Sequence, residues 1–401
     1  MTTAWDPTTF DPHDPAFLTN PYPTYKRFRD AAPLAVVKPY GNTWVFRHAD
    51  VQQMLGDRDT FVKHAPGPRP TPLDPIAEMS AYLPDGLFGS DPPRHTELRA
   101  LLEPLFSTAI ASAPVVAATT ADELLTARHG TSRFELMQDY ALGLPSSTLF
   151  TIMGIPRNHW LLLLQWVTQI VRAHDITQTF ATRVAGATSH MALQMYFAEW
   201  VLRCQETPQP GLVGELCAAI GGPEHLTAEE VQICCTDFVV AGYLSTTFLI
   251  GSGLQHLLEN PEQAQLLRDQ PALMDGAIGE ILRMDAPAQL VERIAAVDTE
   301  LGGTAIPAGT HLAAVLGSAD RDETVFADPD RFDVKRDDAA QVGFGYGIHR
   351  CIGAPLVQLV APVAMSKLLA IPELAVAGLV QWGSDPYLRG MTSFPLSVVW
   401  S

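Results

Sequence analysis

The chain reads as mainly helical with a smaller β region, and three stretches carry that reading. Residues 114–220 hold long helical runs broken at Pro145, Gly154-Ile155-Pro156 and Pro208-Gln209-Pro210. Thr227-Ala228-Glu229-Glu230 is a capping box, and nothing after it breaks a helix until Asn260-Pro261. Against these stand short β-prone runs over 33–37 and 43–46, joined through a hairpin signal at Tyr40-Gly41-Asn42.

Taken in order, residues 1–23 are rich in Asp and Pro and are expected to form an irregular N-terminal segment on the surface. Short helices are expected over 25–31 and 49–55. Residues 62–86 carry six prolines and little periodicity, and so long a loop is usually functional or disordered. Asp91-Pro92-Pro93 then opens a helix with His95 and Arg99 four apart on one face. Taken alone, that pair is an ordinary solvated polar face.

The segment 160–204 carries Trp166, Phe180, Met191, Met195, Tyr196 and Trp200, a stripe that belongs to a core far more often than to a ligand site. The helix begun at the capping box should run for about 32 residues, or about 48 Å. Its middle, 238–250, is apolar on nearly all sides, so it should cross the core. The small residues Ala241 and Gly242 allow tight helix packing or the close approach of something flat. Residues 277–284 form a helix with Glu280 and Arg283 three apart. Their apolar neighbours Ala277, Ile278, Ile281 and Leu282 point to a buried pair rather than a weak surface one. The run 389–400 ends in β-prone residues.

The composition narrows the partners. The chain has 401 residues, is 47% hydrophobic and carries a formal charge of −18. That balance argues for solubility and against nucleic acid or an anionic membrane as partner. No signal peptide is legible, and no uninterrupted apolar run approaches the roughly 20 residues of a bilayer span. Cys204, Cys217, Cys234, Cys235 and Cys351 form no C-x-x-C pair, which disfavours zinc and disulfide frameworks and fits a reduced, cytoplasmic setting.

The chemistry concentrates at 344–356. Cys351 sits in a turn punctuated by Gly345, Gly347 and Gly353, and a helical pattern begins after it. A helix start offers partial positive charge and free amide donors to a thiolate, which is then a metal ligand or a nucleophile. A lone cysteine is more often a small buried hydrophobe.

The full string, Phe344-Gly345-x-Gly347-x-His349-x-Cys351-x-Gly353, resembles the haem-binding loop of the cytochrome P450 family, and matches continue in order from about Tyr22 to Val399. The resemblance implies a single haem-thiolate domain over 1–401 with the P450 fold. Its cofactor would be haem b, with Cys351 as the axial iron ligand and Phe344 shielding the sulfur. A thiolate axial ligand pushes electron density to iron and favours O–O cleavage. By the same resemblance His95, Arg99, Arg293 and His349 hold the propionates, and Ala241 and Gly242 face the haem. Glu280, Arg283 and Arg331 brace the scaffold, residues 62–86 cap the pocket, and the 160–204 helices form a lid.

Two places depart from the family. Its central helix usually reads Ala-Gly-x-acid-Thr-Thr, whereas this chain reads Ala241-Gly242-Tyr243-Leu244-Ser245-Thr246-Thr247. Without a gap, Leu244 stands for the acid and Ser245 for the first Thr. The other register keeps Thr246 in that place but rotates the helix by about 100°. After Leu356, Val357-Gln358-Leu359-Val360 replaces the usual Ala-Arg-x-Glu, which puts the common ferredoxin contact in doubt.

The expected function is a haem-thiolate monooxygenase acting on a small, mostly apolar or aromatic molecule in bacterial secondary metabolism. Ser245 and Thr246 are the candidates for assisting oxygen activation. The pocket is expected from the loop before Asp91 together with Val240, Tyr243, Leu244, Ala288, Gln289, Leu290, Val291, Met391, Thr392 and Phe394. With no dinucleotide or flavin motif in the sequence, electrons are expected from a ferredoxin and an NAD(P)H-supplied ferredoxin reductase. The absent acid at Leu244 supports an alternative: phenolic or biaryl coupling, nitration, or a peroxide-driven reaction. A non-catalytic haem binder and a colourless cysteine hydrolase are the readings from other classes.

Overall fold

The computed structural model describes residues 6–38, 40–64, 85–175, 177–222, 226–337 and 339–400. The stretch 65–84 lies outside these, so the expected pocket cap falls mostly outside the described residues.

The β region is built around a five-stranded sheet ordered Leu34–Val37, Asn42–Val45, His311–Val315, Leu290–Ala295, Phe61–Val62. Asn42–Val45 and His311–Val315 run parallel and the other neighbours antiparallel. Side chains alternate across this sheet, so each face feeds its own core. Val45, Leu312 and Ala314 join Val51, Met54 and Leu55 of the helix His48–Gly56 on one side. Trp44, Ala313 and Val315 join Phe17, Tyr25 and Phe28 on the other. The N-terminal segment is less irregular than its composition suggests. Asp14 caps a helix over Pro15–Thr19, and Phe10 packs edge-on against Phe17 and Phe28. Asp6 and Asp14 act as helix caps, and Asp11 holds the turn between them by accepting from the His13 N–H (2.9 Å).

The helical region surrounds the segment started by Thr227. The Thr227 hydroxyl accepts from the Glu230 N–H (3.1 Å), and the Glu230 carboxylate accepts from the Thr227 N–H (2.9 Å). The helix is not continuous to Asn260. It runs over Ala228–Ala241, breaks at Gly242-Tyr243, and resumes over Leu244–Glu259. A Cβ at Gly242 would collide with the Phe238 carbonyl oxygen and lie 2.7 Å from Leu149. The break therefore falls at a crowded point and at a residue weakly committed to helix.

Two stretches, Arg94–Thr126 and Ala228–Glu259, reach the length and mean apolarity of a membrane span, though neither is an uninterrupted apolar run. The second runs through the protein core, with Val239, Leu249, Ile250 and Leu254 almost fully enclosed.

Candidate functional site

The loop 344–353 folds back on itself through local bonds. The Cys351 N–H donates to the Phe344 carbonyl (2.9 Å), and Gly345 and Gly347 take φ of +73° and +74°. At Gly347 a Cβ would also collide with the Leu55 carbonyl oxygen. Both constraints require glycine there. Helix Ala354–Leu369 starts just beyond, with Gly353 as its N-cap. Burial pushes the Cys351 thiol up, while the amides of Gly353 and Ala354 and the charges of Arg350 and Arg99 pull it down. Burial wins, so a helix start alone does not hold this thiolate. A bound metal cation is the partner that would. The Arg350 guanidinium lies 5.6 Å from the Phe344 ring centre.

Beside this loop the fold gathers cationic and imidazole groups from four elements. His95 comes from the first turn of Arg94–Ala109, Arg293 from a central sheet strand, and His349 from the turn Gly347–His349. The fourth is Lys63, which sequence reasoning missed. It continues the antiparallel register Phe61↔Ala295, Val62↔Ile294 and so comes beside Arg293.

The His95 and His349 rings are 4.0 Å apart between centres, and neither nitrogen of the buried His95 has a hydrogen-bond partner. Burial lowers His349 to about 2, His95 to about 4, Lys63 to about 8 and Arg293 to about 10; neighbouring cations add to it for the first three, and the Asp91 carboxylate opposes it for the last three. Arg293 and Lys63 weigh against the charge of both histidines, Arg293 weighs against that of Lys63, and the buried His95 nitrogens are left unused. A bound dianion of carboxylates would reverse both penalties, which fits the two propionates of a haem. Arg99 is committed differently. It donates to the backbone carbonyls of Ile348 (3.0 Å) and Arg350 (2.6 Å), clamping the loop, and to Glu103 (2.6 Å).

The central helix offers one open face. Ala241 is exposed, and Asp237, Val240, Gly242, Leu244, Ser245 and Phe248 are half-buried, while the residues between them are enclosed. Thr246 and Thr247 are buried. Ser245 thus stands on the open face, whereas Thr246 is enclosed. The Ser245 hydroxyl lies 3.5 Å from the Ala241 carbonyl, to which it donates across the helix break.

Three expected pocket contacts also fail. Tyr243 is fully buried and meets Phe150 edge-on at 5.8 Å. Gln289 is buried in the scaffold, bonded to the Ala286 carbonyl (2.6 Å) and accepting from the Tyr25 hydroxyl (3.1 Å). Phe394 is fully buried, with its N–H on the Glu135 carboxylate. All three lie outside regular elements, Tyr243 in the helix break, Gln289 just before the strand Leu290–Ala295 and Phe394 between the strands Met391–Ser393 and Pro395–Val399. Ala288 and Val291 are half-buried and Thr392 is exposed, whereas Leu290 and Met391 are largely enclosed.

The scaffold trio is also corrected. Arg283 donates twice to Glu280 (2.6 and 2.9 Å), and all of it is buried. The third member is Arg336, whose Nε donates to Glu280 at 3.1 Å. The Arg331 side chain is 65% exposed and reaches only Asp333 at 3.5 Å. The turn after Phe332 sends Arg331 outward and brings Arg336 back.

The chain matches the cytochrome P450 family model over residues 61–376. It is 30% identical to a putative cytochrome P450, YjiB, of Bacillus subtilis, covering 94% of this chain and 93% of that protein. It is 31% identical to the cytochrome P450 monooxygenase PikC of Streptomyces venezuelae, covering 95% and 91%. Among solved structures, P450BioI in complex with an acyl carrier protein ligated to hexadec-9Z-enoic acid superposes with a TM-score of 0.87. It is 27% identical, with 96% of this chain and all of that one covered. A glycine-pinned cysteine at a helix start, an anion-seeking cluster beside it and likeness along nearly the whole chain agree: the chain belongs to the cytochrome P450 family, and it is a haem-thiolate oxidoreductase of the monooxygenase type.

Proposed function

We propose that this enzyme oxidises a small, mostly apolar organic molecule in bacterial secondary metabolism. The observation that carries the reading is the open face of the central helix, where Val240, Ala241, Leu244, Ser245 and Phe248 supply four apolar residues and one hydroxyl, with Asp237 at its upstream end. Such a wall favours an apolar ligand oriented by few polar groups. One relative, 28% identical, is named a polyketide biosynthesis cytochrome P450, PksS, of Bacillus subtilis, which supports a place in secondary metabolism.

In this reading Cys351 is the iron ligand, Phe344 and Arg350 cover its loop, and His95, Lys63, Arg293 and His349 hold the propionates. When bound, the haem supplies oxygen activation at an iron whose electron density the thiolate raises. The chain's own part is to exclude water with Val240, Ala241 and Leu244, and to present the Ser245 hydroxyl where the helix opens. No carboxylate stands at Leu244, so the protons used in oxygen activation pass through water, substrate or another side chain. Electrons come from separate redox proteins, a ferredoxin and its reductase. Gln358 is exposed on the helix after Cys351 and carries no charge for an acidic partner, so that docking leans on other residues.

The Leu244 position also favours a second reading, a one-electron oxidation such as phenolic or biaryl coupling, which places less demand on proton delivery. Turnover with a surrogate ferredoxin and reductase under labelled oxygen gas separates the two. Label in the product supports oxygen insertion. Product formed without any label overturns it in favour of coupling.

A further inference from the structure

The strand Phe61–Val62 ends one residue short of Lys63, so the sheet places Lys63 beside Arg293 without holding its backbone. Its amide is held from elsewhere. The Lys63 N–H donates to both carboxylate oxygens of Asp91 (2.9 and 3.0 Å), and the His64 N–H donates to Asp91 Oδ2 (3.0 Å). Hydrogen bonds to an ionised acceptor are stronger than neutral ones, so one side chain fixes two successive amides firmly.

Asp91 stands just ahead of the helix Arg94–Ala109, where a short acidic side chain ordinarily caps the first turn. Among the described residues no side chain caps this helix. The carboxylate turns instead to a backbone 28 residues away in the chain. The Asp91 carbonyl meanwhile accepts from the His95 N–H (3.0 Å). One residue therefore joins the helix that carries His95 to the segment that carries Lys63.

The Asp91 charge also reaches the cluster, where it favours the charged forms of His95, Lys63 and Arg293. Toward a propionate that charge has the wrong sign, because neighbouring carboxylates repel. The two effects oppose each other. As a charge, Asp91 works against an anion in the cluster. As a tie, it fixes the root of the Lys63 side chain, whose flexible four-carbon stem would otherwise let the ammonium wander.

We propose that Asp91 is a positioning residue of the haem seat. By holding the Lys63 and His64 amides it aims the Lys63 ammonium at a propionate, and this gain outweighs its own repulsion. The inference rests on the assignment of Lys63 to the propionates made above.

The test loads wild type and variants with haem b or with its dimethyl ester, in which both propionates are uncharged. Transfer of each to excess apomyoglobin is timed, and the carbon monoxide spectrum confirms thiolate ligation beforehand. Lys63→Met should speed loss of haem b by about tenfold, as one charge-assisted bond is lost. Asp91→Ala should speed it by about threefold or more, although a repelling charge has gone. Added to Lys63→Met, it should change the rate by less than about twofold, since both act through one ammonium. With the dimethyl ester, Asp91→Ala should match wild type within about twofold. Asp91→Asn keeps one acceptor oxygen and should fall between wild type and alanine, and it serves the same comparisons should the alanine variant fail to hold haem.

Unchanged or slower loss of haem b on removal of the Asp91 carboxylate overturns the proposal and leaves Asp91 a competing anion. Equal acceleration with both haems overturns it too, and marks a general brace of the fold. So do effects that multiply in the double variant. If Lys63→Met alone changes nothing, the propionate role of Lys63 fails and Asp91 falls with it. A wild type without the thiolate form would fail earlier, at Cys351, and take the proposal with it.

Discussion

Two buried charge clusters in this molecule are built from similar residues and are opposite in kind. Around Glu280 every group is answered. Arg283 and Arg336 meet its carboxylate, the Asp333 N–H adds a third donor (3.0 Å), and Arg283 spends its remaining N–H groups on the carbonyls of Asp320 (2.8 Å) and Pro329 (2.9 Å). Around His95 less is answered: neither of its ring nitrogens has a partner, Arg293 donates to the Glu292 carbonyl (2.7 Å), and the Asp91 carboxylate is the one opposite charge set against His95, Lys63 and Arg293 together. The closed cluster is complete as the chain folds it. The open one is complete only with an anion. Counting buried charges would not distinguish them. Counting unpaired donors does.

The contrast can be broken most sharply at the closed cluster. Removing one partner there strands a buried charge, so Arg283→Ala should cost about 3–5 kcal/mol of unfolding free energy in denaturant titrations. A loss under about 1 kcal/mol would show that the cluster relaxes or admits water.

At the open cluster the balance should run the other way. Arg293→Ala should speed transfer of haem to an apoprotein acceptor by about tenfold or more, as one charge-assisted bond is lost. The haem-free form should be no less stable than wild type, because a repelling charge has gone. If haem retention is unchanged, Arg293 is not a propionate partner.

A smaller effect follows from pH. Folded His95 takes up a proton only near pH 4, and His349 near 2, against 6.5 for a free imidazole. The unfolded chain therefore binds more protons below pH 6.5, and the haem-free protein loses stability as pH falls from 6.5 toward 4. His95→Phe should flatten part of that slope in denaturant midpoints measured at pH 5 and 7, and a parallel shift at both values would count against it. Smallest of all, Arg331→Ala should stay within about 0.5 kcal/mol of wild type, as exposed pairs do.

What the sequence made legible follows the same division between local and distant. The Cys351 loop is a contiguous string whose glycines, N-cap and cysteine act within ten residues, so reading it needs no tertiary information. The capping box at Thr227 is equally local. The third arginine was misplaced because Arg331 and Arg336 lie five residues apart, and which one folds back depends on a turn. Lys63 escaped notice because its partner Arg293 is reached only through sheet register. The helix break at Gly242-Tyr243 arises from Leu149 and the Phe238 carbonyl crowding a flexible residue, and propensity alone does not show it.

Gly347 leaves one last consequence. Its backbone rests against the Leu55 carbonyl at the end of helix His48–Gly56, and a methyl group there has no room. The metal-binding hairpin is thus seated on a helix that belongs to the sheet half of the protein. Lesions in that half, far from any reacting atom, should announce themselves as loss of colour before loss of shape.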